Sequence, residues 1–505
     1  MNKNTKRYRF YEMIPGFFAW FVILFPIWGS FVVPRLVAYF VFAFLIYWLY
    51  QSFKSAILAL LGYTKIKVAK STNWFQKFQE NFRASWLKYR DINHVIIISS
   101  YKEPVEVIEM AFSSLAAQVD IDLHKIHVVL AQEARAGDLN NRSTINYFRK
   151  KYPNTFGSLV FTEHPENLPG EIAGKHTNEA WAAKYFKKHF LDNKNSKIKL
   201  KNCTITSCDV DTIFHPKYFS ALTYNFASNP DRYFKFWQSP IFWHHNINSV
   251  PAPIRIIGTM GNVIHIANIQ EPDGLFFNYS CYSSSYHLID SAGYWDPDMI
   301  PEDWHIFLQT FFASGGKTSV DPIFLPTIVD APDGTSYFSA LKNRYNQCVR
   351  HAWGAVDIPY AIEQSRLHPE IPLLARSLRI FKLIQTHFIW SSNWFILTLG
   401  TSLPVILNPY FFNTTLGYNL PRISNLILTI CLLPMFVLIV LDWKLRPPYQ
   451  KTGFWNFIKN MIQWPIMPIA TLAMSVLPGL HSHTRLLFGK RLEYKTTQKN
   501  LKSVK

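Results

Sequence analysis

Asp209 and Asp211 stand at i and i+2, directly after the β-branched run Thr204-Ile205-Thr206 and Ser207-Cys208. Two carboxylates placed where a strand leaves a sheet can converge on one divalent cation. Mg²⁺ and Mn²⁺ favour oxygen ligands, and Mg²⁺ is usually held by one or two carboxylates together with substrate phosphates. An Asp-x-Asp alone is more often a surface turn, so its surroundings decide. A second acidic pair, Glu302-Asp303, follows Pro301 and precedes the apolar residues Ile306, Phe307, Leu308, Phe311 and Phe312. That is an acidic helix start, favoured by the macrodipole, and it also offers a carboxylate that can accept a proton. Tyr101 and Glu103 follow the run His94–Ser99, and Glu133 follows Ile126–Leu130. The positive charges that would complete a phosphate site are Lys175, at the start of a helical stretch, and Arg350, three residues after Gln347.

These residues need a frame, and the texture of the chain supplies one. His94–Ser99, Ile126–Leu130, Leu159–Thr162 and Cys203–Ser207 are short β-branched or apolar runs of the kind found in buried parallel strands. Between them, Val105–Gln118 and Glu171–Phe186 carry apolar residues at helical spacing. Strands alternating with helices predict an α/β domain with a mostly parallel sheet, and ligands bind at the carboxyl ends of its strands. No internal repeat is visible, and 192–201 reads as a polar loop.

Only 17% of the 505 residues are charged while 49% are hydrophobic, against roughly a quarter charged in an average soluble protein. That excludes disorder. From Met13 to Phe53 the only ionisable residue is Arg35, a stretch long enough for two crossings at about 20 residues each, with a break at Pro34-Arg35. Leu383–Leu441 is interrupted only by His387 and Arg422 and predicts spans near 388–411 and 423–441. The stretch 453–480 carries Pro465, Pro468 and Pro478 and reads as re-entrant or interfacial. Arg376, Arg379 and Lys382 among apolar residues in 373–390 suggest an amphipathic interfacial helix.

The net charge of +19 is concentrated at residues 1–10, 54–90 and beyond Arg485. Basic clusters beside membrane spans predict contact with anionic lipid headgroups rather than with nucleic acid. By the positive-inside rule they put both termini and the middle of the chain in the cytoplasm. Five cysteines without a CxxC pair or zinc spacing fit a reducing compartment.

The ordered series Tyr101-Lys102-Glu103, Glu171–Asn178 (EIAGKHTN), Asp209-Val210-Asp211, Glu302-Asp303 and Gln347–Trp353 (QCVRHAW), set between membrane spans, resembles a membrane-integrated family-2 glycosyltransferase of the cellulose synthase and hyaluronan synthase type. The resemblance covers most of the chain and implies a GT-A fold binding a nucleotide sugar, with a UDP-sugar the first expectation. Tyr101 and Glu103 would face the base, and Glu133 the base or ribose. Asp209 and Asp211 would hold Mg²⁺ or Mn²⁺ against the diphosphate, with Lys175 adding positive charge. Asp303 would be the general base, supported by Glu302. Gln347 and Arg350 would brace the diphosphate and the acceptor entry, with His351 and Trp353 at the acceptor.

The family pattern reads Gln-x-x-Arg-Trp, whereas His351 follows Arg350 here and the tryptophan comes at Trp353. Positions 350 and 353 share a helix face, so Trp353 is the aromatic expected to stack on a sugar. The segment Phe276–Cys281 occupies the place of the acceptor-proximal loop without matching it. Residues 491–499 (RLEYKTTQK) resemble the ending of many relatives. The expected organisation is two transmembrane helices in 1–61, a basic linker at 62–91 and the transferase domain at 92–345. The Gln-x-x-Arg motif and interfacial helices follow at 346–387, then a second membrane region at 388–484 and a basic tail at 485–505. The expected activity is inverting transfer to a growing polysaccharide or lipid-linked acceptor at the cytoplasmic face. Its alternatives are single transfer to a lipid carrier, or an inactive scaffold.

Overall fold

The computed structural model describes residues 6–451 and 453–492. Two long helices open the chain, α1 (Lys6–Val32) and α2 (Pro34–Ser71). Their break falls at Val33, with Pro34 at the first position of α2, where a missing N–H costs nothing.

The strands are β1 (Asn93–Ser100), β2 (Ile126–Glu133), β3 (Ser158–His164), β4 (Cys203–Cys208), β5 (Lys235–Gln238), β6 (Ile241–Phe242), β7 (Tyr282–Ser285), β8 (Ser319–Pro322) and β9 (Thr327–Ile328). Seven of them form one mixed sheet in the order β3-β2-β1-β4-β7-β5-β8, and β6 pairs with β9 separately. Within the large sheet only β7 runs against its neighbours. The alternation of β1 splits two cores. Ile96 and Ile98 pack with Phe112, Leu115 and Phe219 on one face. Val95 and Ile97 pack with Ala180, Phe186, Phe307 and Phe311 on the other. Both faces are covered, which is why the strand reads as a continuous apolar run.

The fold is therefore mixed α/β with a mostly parallel central sheet. The three short strands β5, β7 and β8 carry Lys, Gln, Ser and Asp and give no apolar run to read. The helix expected from Glu171 starts only at Lys175. Gly170 adopts φ 83° and Gly174 caps the helix in an extended conformation, so 170–174 forms the loop leading into it.

Three helical runs are long and apolar enough to cross a membrane among the described residues: Lys6–Val32, Pro34–Ser71 and Thr415–Leu445. Residues 388–407 of the expected span at 388–411 lie in one helix, Leu373–Leu407, which is not among them; the chain breaks at Asn408 and a short helix follows at Pro409–Phe412. The basic residues of Leu373–Leu407 turn inward rather than toward headgroups. Arg379 is 7% exposed and lies over the rings of Phe307 and Phe311 at 5.0 and 5.6 Å, and Lys382 pairs with Asp273 at 3.6 Å. The turn between the expected spans at 388–411 and 423–441 is shorter than their spacing implies, because Pro421 lies inside the helix Thr415–Ile430.

Residues 453–480 are not one helix. Phe454–Met461 ends before Pro465, and helical structure resumes at Met467 and continues to Leu487, with a π turn over Leu472–Val476. Its last part packs on α1, where the Trp20 indole donates to Thr484 Oγ1 at 2.9 Å. Helices run through the expected divisions at 61, 345 and 387. Most of 491–499 and the tail lie outside the described residues.

Candidate active site

A single cavity of about 1190 Å³ opens at the carboxyl ends of β1, β2 and β4. Tyr101, Glu103, Glu133, Lys175, Asp209 and Asp211 line it, together with Glu302, Asp303, Gln347, Arg350 and His351. Six elements, among them the Lys175–Phe186 helix, deliver these side chains. β1 ends at Ser100, just before Tyr101 and Glu103, β2 ends in Glu133, and β4 ends at Cys208, immediately before Asp209. The Glu302–Ala313 helix presents its first two residues, and the Tyr337–Ala352 helix brings Gln347 and Arg350 in from the other side.

Lys175 is the electrostatic hub. Its Nζ donates to Asp209 Oδ1 at 3.0 Å and to the Ser280 carbonyl at 3.2 Å. It lies 3.4 Å from Glu302 Oε1 and 3.9 Å from Glu179 Oε1. Burial opposes its charge, but Asp209, Glu179 and Glu302 more than offset that and hold its pKa well above the usual value. Glu179 is fully buried and accepts from Ser207 Oγ at 2.7 Å. Burial pushes its carboxyl up to about 8 against the pull of Lys175.

Asp303 sits at the second position of its helix. Its Oδ1 accepts from the Trp304 N–H at 2.9 Å and its Oδ2 from the Ser280 N–H at 3.0 Å. Burial, and then the charge of Glu302, raise its pKa to about 7, opposed by those two amide bonds and by Lys175. A carboxylate with a pKa near the operating pH is poised for proton transfer.

Ser280 joins the two acidic centres, because its Oγ donates to Asp209 Oδ2 at 2.7 Å while its N–H holds Asp303. It does so from a left-handed backbone, φ 51°. Asp211 accepts from the Asp330 N–H at 3.0 Å, and Asp330 pairs with His245 at 2.6 Å. Sequence reasoning missed Ser280, Glu179 and Asp330. The unmatched segment Phe276–Cys281 was the only signal for the first, and the i, i+4 pairing of Lys175 with Glu179 the only one for the second.

On the side of β1 and β2, Glu103 accepts from Ser100 Oγ at 3.0 Å and from the Tyr101 N–H. Glu133 is matched by Arg135, whose guanidinium lies 4.2 Å over the Tyr101 ring. Gln347 accepts from Arg344 at 3.1 Å.

Trp353 departs from the expectation. It is 4% exposed, packs with Met299, Ile300, Val356 and Leu486, and does not line the cavity. The helix passes at Ala352 into a 3₁₀ turn beginning at Trp353, and the indole is buried among those apolar side chains. Trp243, Trp304 and Trp390 line the cavity instead.

Among the described residues no three His, Cys, Asp or Glu side chains form a metal cage. The donor set still suits Mg²⁺ or Mn²⁺ shared with a phosphorylated ligand. Asp209 and Asp211 supply hard oxygen donors on the cavity wall, and Asp209 already meets a cation in Lys175.

No family model matches the chain, and no curated protein matches it. Among solved structures, the chain is similar to one described as "Mannosyltransferase PcManGT from Pyrobaculum calidifontis in complex with GDP-Man and Mn2+". Identity is 11% and the TM-score 0.44, over 86% of this chain and 100% of that one. A likeness of that size assigns neither a family nor an activity.

Proposed function

We propose that the protein is a membrane-embedded glycosyltransferase of GT-A type. It moves a sugar, with inversion, from a nucleotide-sugar donor to a saccharide or lipid-linked acceptor at the cytoplasmic face. One observation carries this reading: two cavity-lining carboxylates, a buried ammonium, a guanidinium and a carboxylate of pKa about 7 meet around a single cavity at the strands' carboxyl ends. A surface turn or a structural helix cap needs no such convergence.

Transfer with inversion requires a base within reach of the attacking hydroxyl, and Asp303 takes that role. Its two amide hydrogen bonds fix the carboxylate, while burial and then the charge of Glu302 keep its pKa high. The anomeric carbon passes through an oxocarbenium-like state, and charge develops on the departing diphosphate. Lys175 and Arg350 stabilise that charge. Asp209 and Asp211 would hold Mg²⁺ or Mn²⁺, which would supply positive charge to offset the diphosphate. Tyr101 and Glu103 receive the base, with Glu133 and its partner Arg135 alongside.

The full chain, purified in detergent and given a panel of UDP- and GDP-sugars, should release nucleoside diphosphate from one of them, a UDP-sugar first. Absence of release from every donor, with metal present, would refute the transferase reading.

A further inference from the structure

The cavity does not end at the catalytic residues. Its lining continues to Trp48 and Ser52 on α2 and to Leu428, Leu432, Met435 and Leu438 on the Thr415–Leu445 run, so both of its far walls belong to helices apolar enough to cross a membrane. Leu432 lines the cavity and is also 53% exposed, and its neighbours Leu433 and Phe436 are 65% and 56% exposed. The far end of the cavity therefore reaches the apolar outer surface of the molecule between two helices.

We infer that the acceptor is an amphiphile that enters sideways through this opening. Its hydrocarbon chain lies between α2 and the Thr415–Leu445 run, and the accepting oxygen of its head reaches Asp303. This rests on the transferase reading above. The chemistry of the wall selects the class. A hydrated polysaccharide needs hydrogen-bond partners along its length, and stripping it of water against aliphatic side chains is costly. Leu428, Leu432, Met435 and Leu438 offer none. A hydrocarbon chain gains from burial there at every methylene. The polar end of the same cavity, with Asp303, Arg350 and Lys175, suits the head and the donor. One continuous space thus joins an aliphatic wall on the Thr415–Leu445 run, faced by Tyr47, Gln51, Ser52 and Ser55 of α2, to a charged end where the sugar is transferred. In the transfer, the bond between the anomeric carbon and the diphosphate oxygen breaks. The head-group oxygen forms the new bond, and its proton passes to Asp303.

The test places the full chain in vesicles of total membrane lipid with radiolabelled UDP- and GDP-sugars, counting label in the organic phase against diphosphate released. The label should enter the organic phase. Leu432→Trp and Ser52→Trp, which narrow the opening from opposite walls, should each lower the ratio of organic-phase label to diphosphate at least ten-fold. A second measurement needs no variant: a 16-carbon alkyl phosphate with a terminal diazirine, photolysed on the unmutated protein, should mark residues within 47–55 or 428–438. Label in a water-soluble polymer, an unchanged ratio in both variants, or adducts confined to other surfaces would overturn lateral entry while leaving sugar transfer intact. Absence of diphosphate release from any donor would instead remove the transferase reading itself.

Discussion

Asp303 is held by two backbone amides in a buried pocket that lifts its pKa to about 7, well above the ordinary value near 4. The sign of that shift gives two predictions. A base must be ionised, so kcat/KM should fall about ten-fold per pH unit as pH drops below about 7, and level off above it. A pH–rate profile checks this, and Asp303→Asn should erase the limb. General-base assistance is worth about 10²–10⁴ in rate, and Asp303→Asn should lose that much with donor affinity little changed. Stability moves differently. With a raised folded pKa, the folded state binds the extra proton between about pH 4 and 7, so stability declines as pH rises through that window. The Asn variant carries no such burden and should melt no lower than the unmutated protein at pH 8. If Asp303 were only a helix-start acid, its loss would cost about 1 kcal/mol and spare the rate. At Asp209 and Asp211 the prediction concerns metal. EDTA should abolish turnover, as should Asp209→Ala or Asp211→Ala, and Mg²⁺ or Mn²⁺ should restore only the chelated, unmutated protein.

Between elements, the contact of most consequence joins the helix Leu432–Leu445 to the helix Ala252–Asn268 beneath the cavity. Asp442 is fully buried, accepting from His244 Nε2 at 2.8 Å, Asn262 Nδ2 at 2.9 Å and Arg446 Nε at 2.9 Å. Arg446 reaches on to Asn248 Oδ1 at 3.2 Å and Thr259 Oγ1 at 3.3 Å. Asn262 also accepts from the Trp243 N–H at 2.9 Å, and Trp243 lines the cavity. Removing one partner of a buried ion pair strands the other and costs about 3–5 kcal/mol, whereas replacing both by apolar residues is often neutral. Asp442→Ala should therefore lower the melting temperature in detergent sharply. The double change Asp442→Leu with Arg446→Met should recover much of that loss. Equal damage from the single and double variants would show that the network is not a unit.

At the scale of the whole molecule, the basic termini and the basic segment 54–90 set the expected topology. Both termini and residues 92–345 should be cytoplasmic, with the turns near 29–34 and 408–414 outside. Cysteine labelling or a reporter fused at residue 505 reads this directly, and an external tail would refute the arrangement. Because Lys6–Val32, Pro34–Ser71 and Thr415–Leu445 are the helical runs long and apolar enough to cross among the described residues, the helix Leu373–Leu407 must provide the remaining crossing for both ends to share a side. It holds Pro404 and packs Ser391, Ser392 and Thr401 inward, which lowers its mean apolarity without exposing polar groups.

The sequence by itself determined whatever rests on local pattern. β1, β2 and β4 were readable because strands covered on both faces must be apolar throughout, and α1 and α2 because a bilayer demands long apolar runs. Asp209, Asp211, Glu302 and Asp303 could be singled out together because two follow a strand and two open a helix. Only the tertiary structure decided what rests on distant pairs. Ser280, 71 residues from Asp209, is an ordinary serine until the fold brings it between two carboxylates. Glu179 looks like an exposed helical acid until the sheet buries it. Trp353 looks like an aromatic for the site until Met299, Ile300 and Leu486, distant in the chain, bury it away from the cavity. Arg379 looks like a headgroup anchor until three phenylalanine rings enclose it. Periodicity reports which face of an element is buried, but the partner that buries it lies far along the chain, and the chemistry of a site depends on that partner.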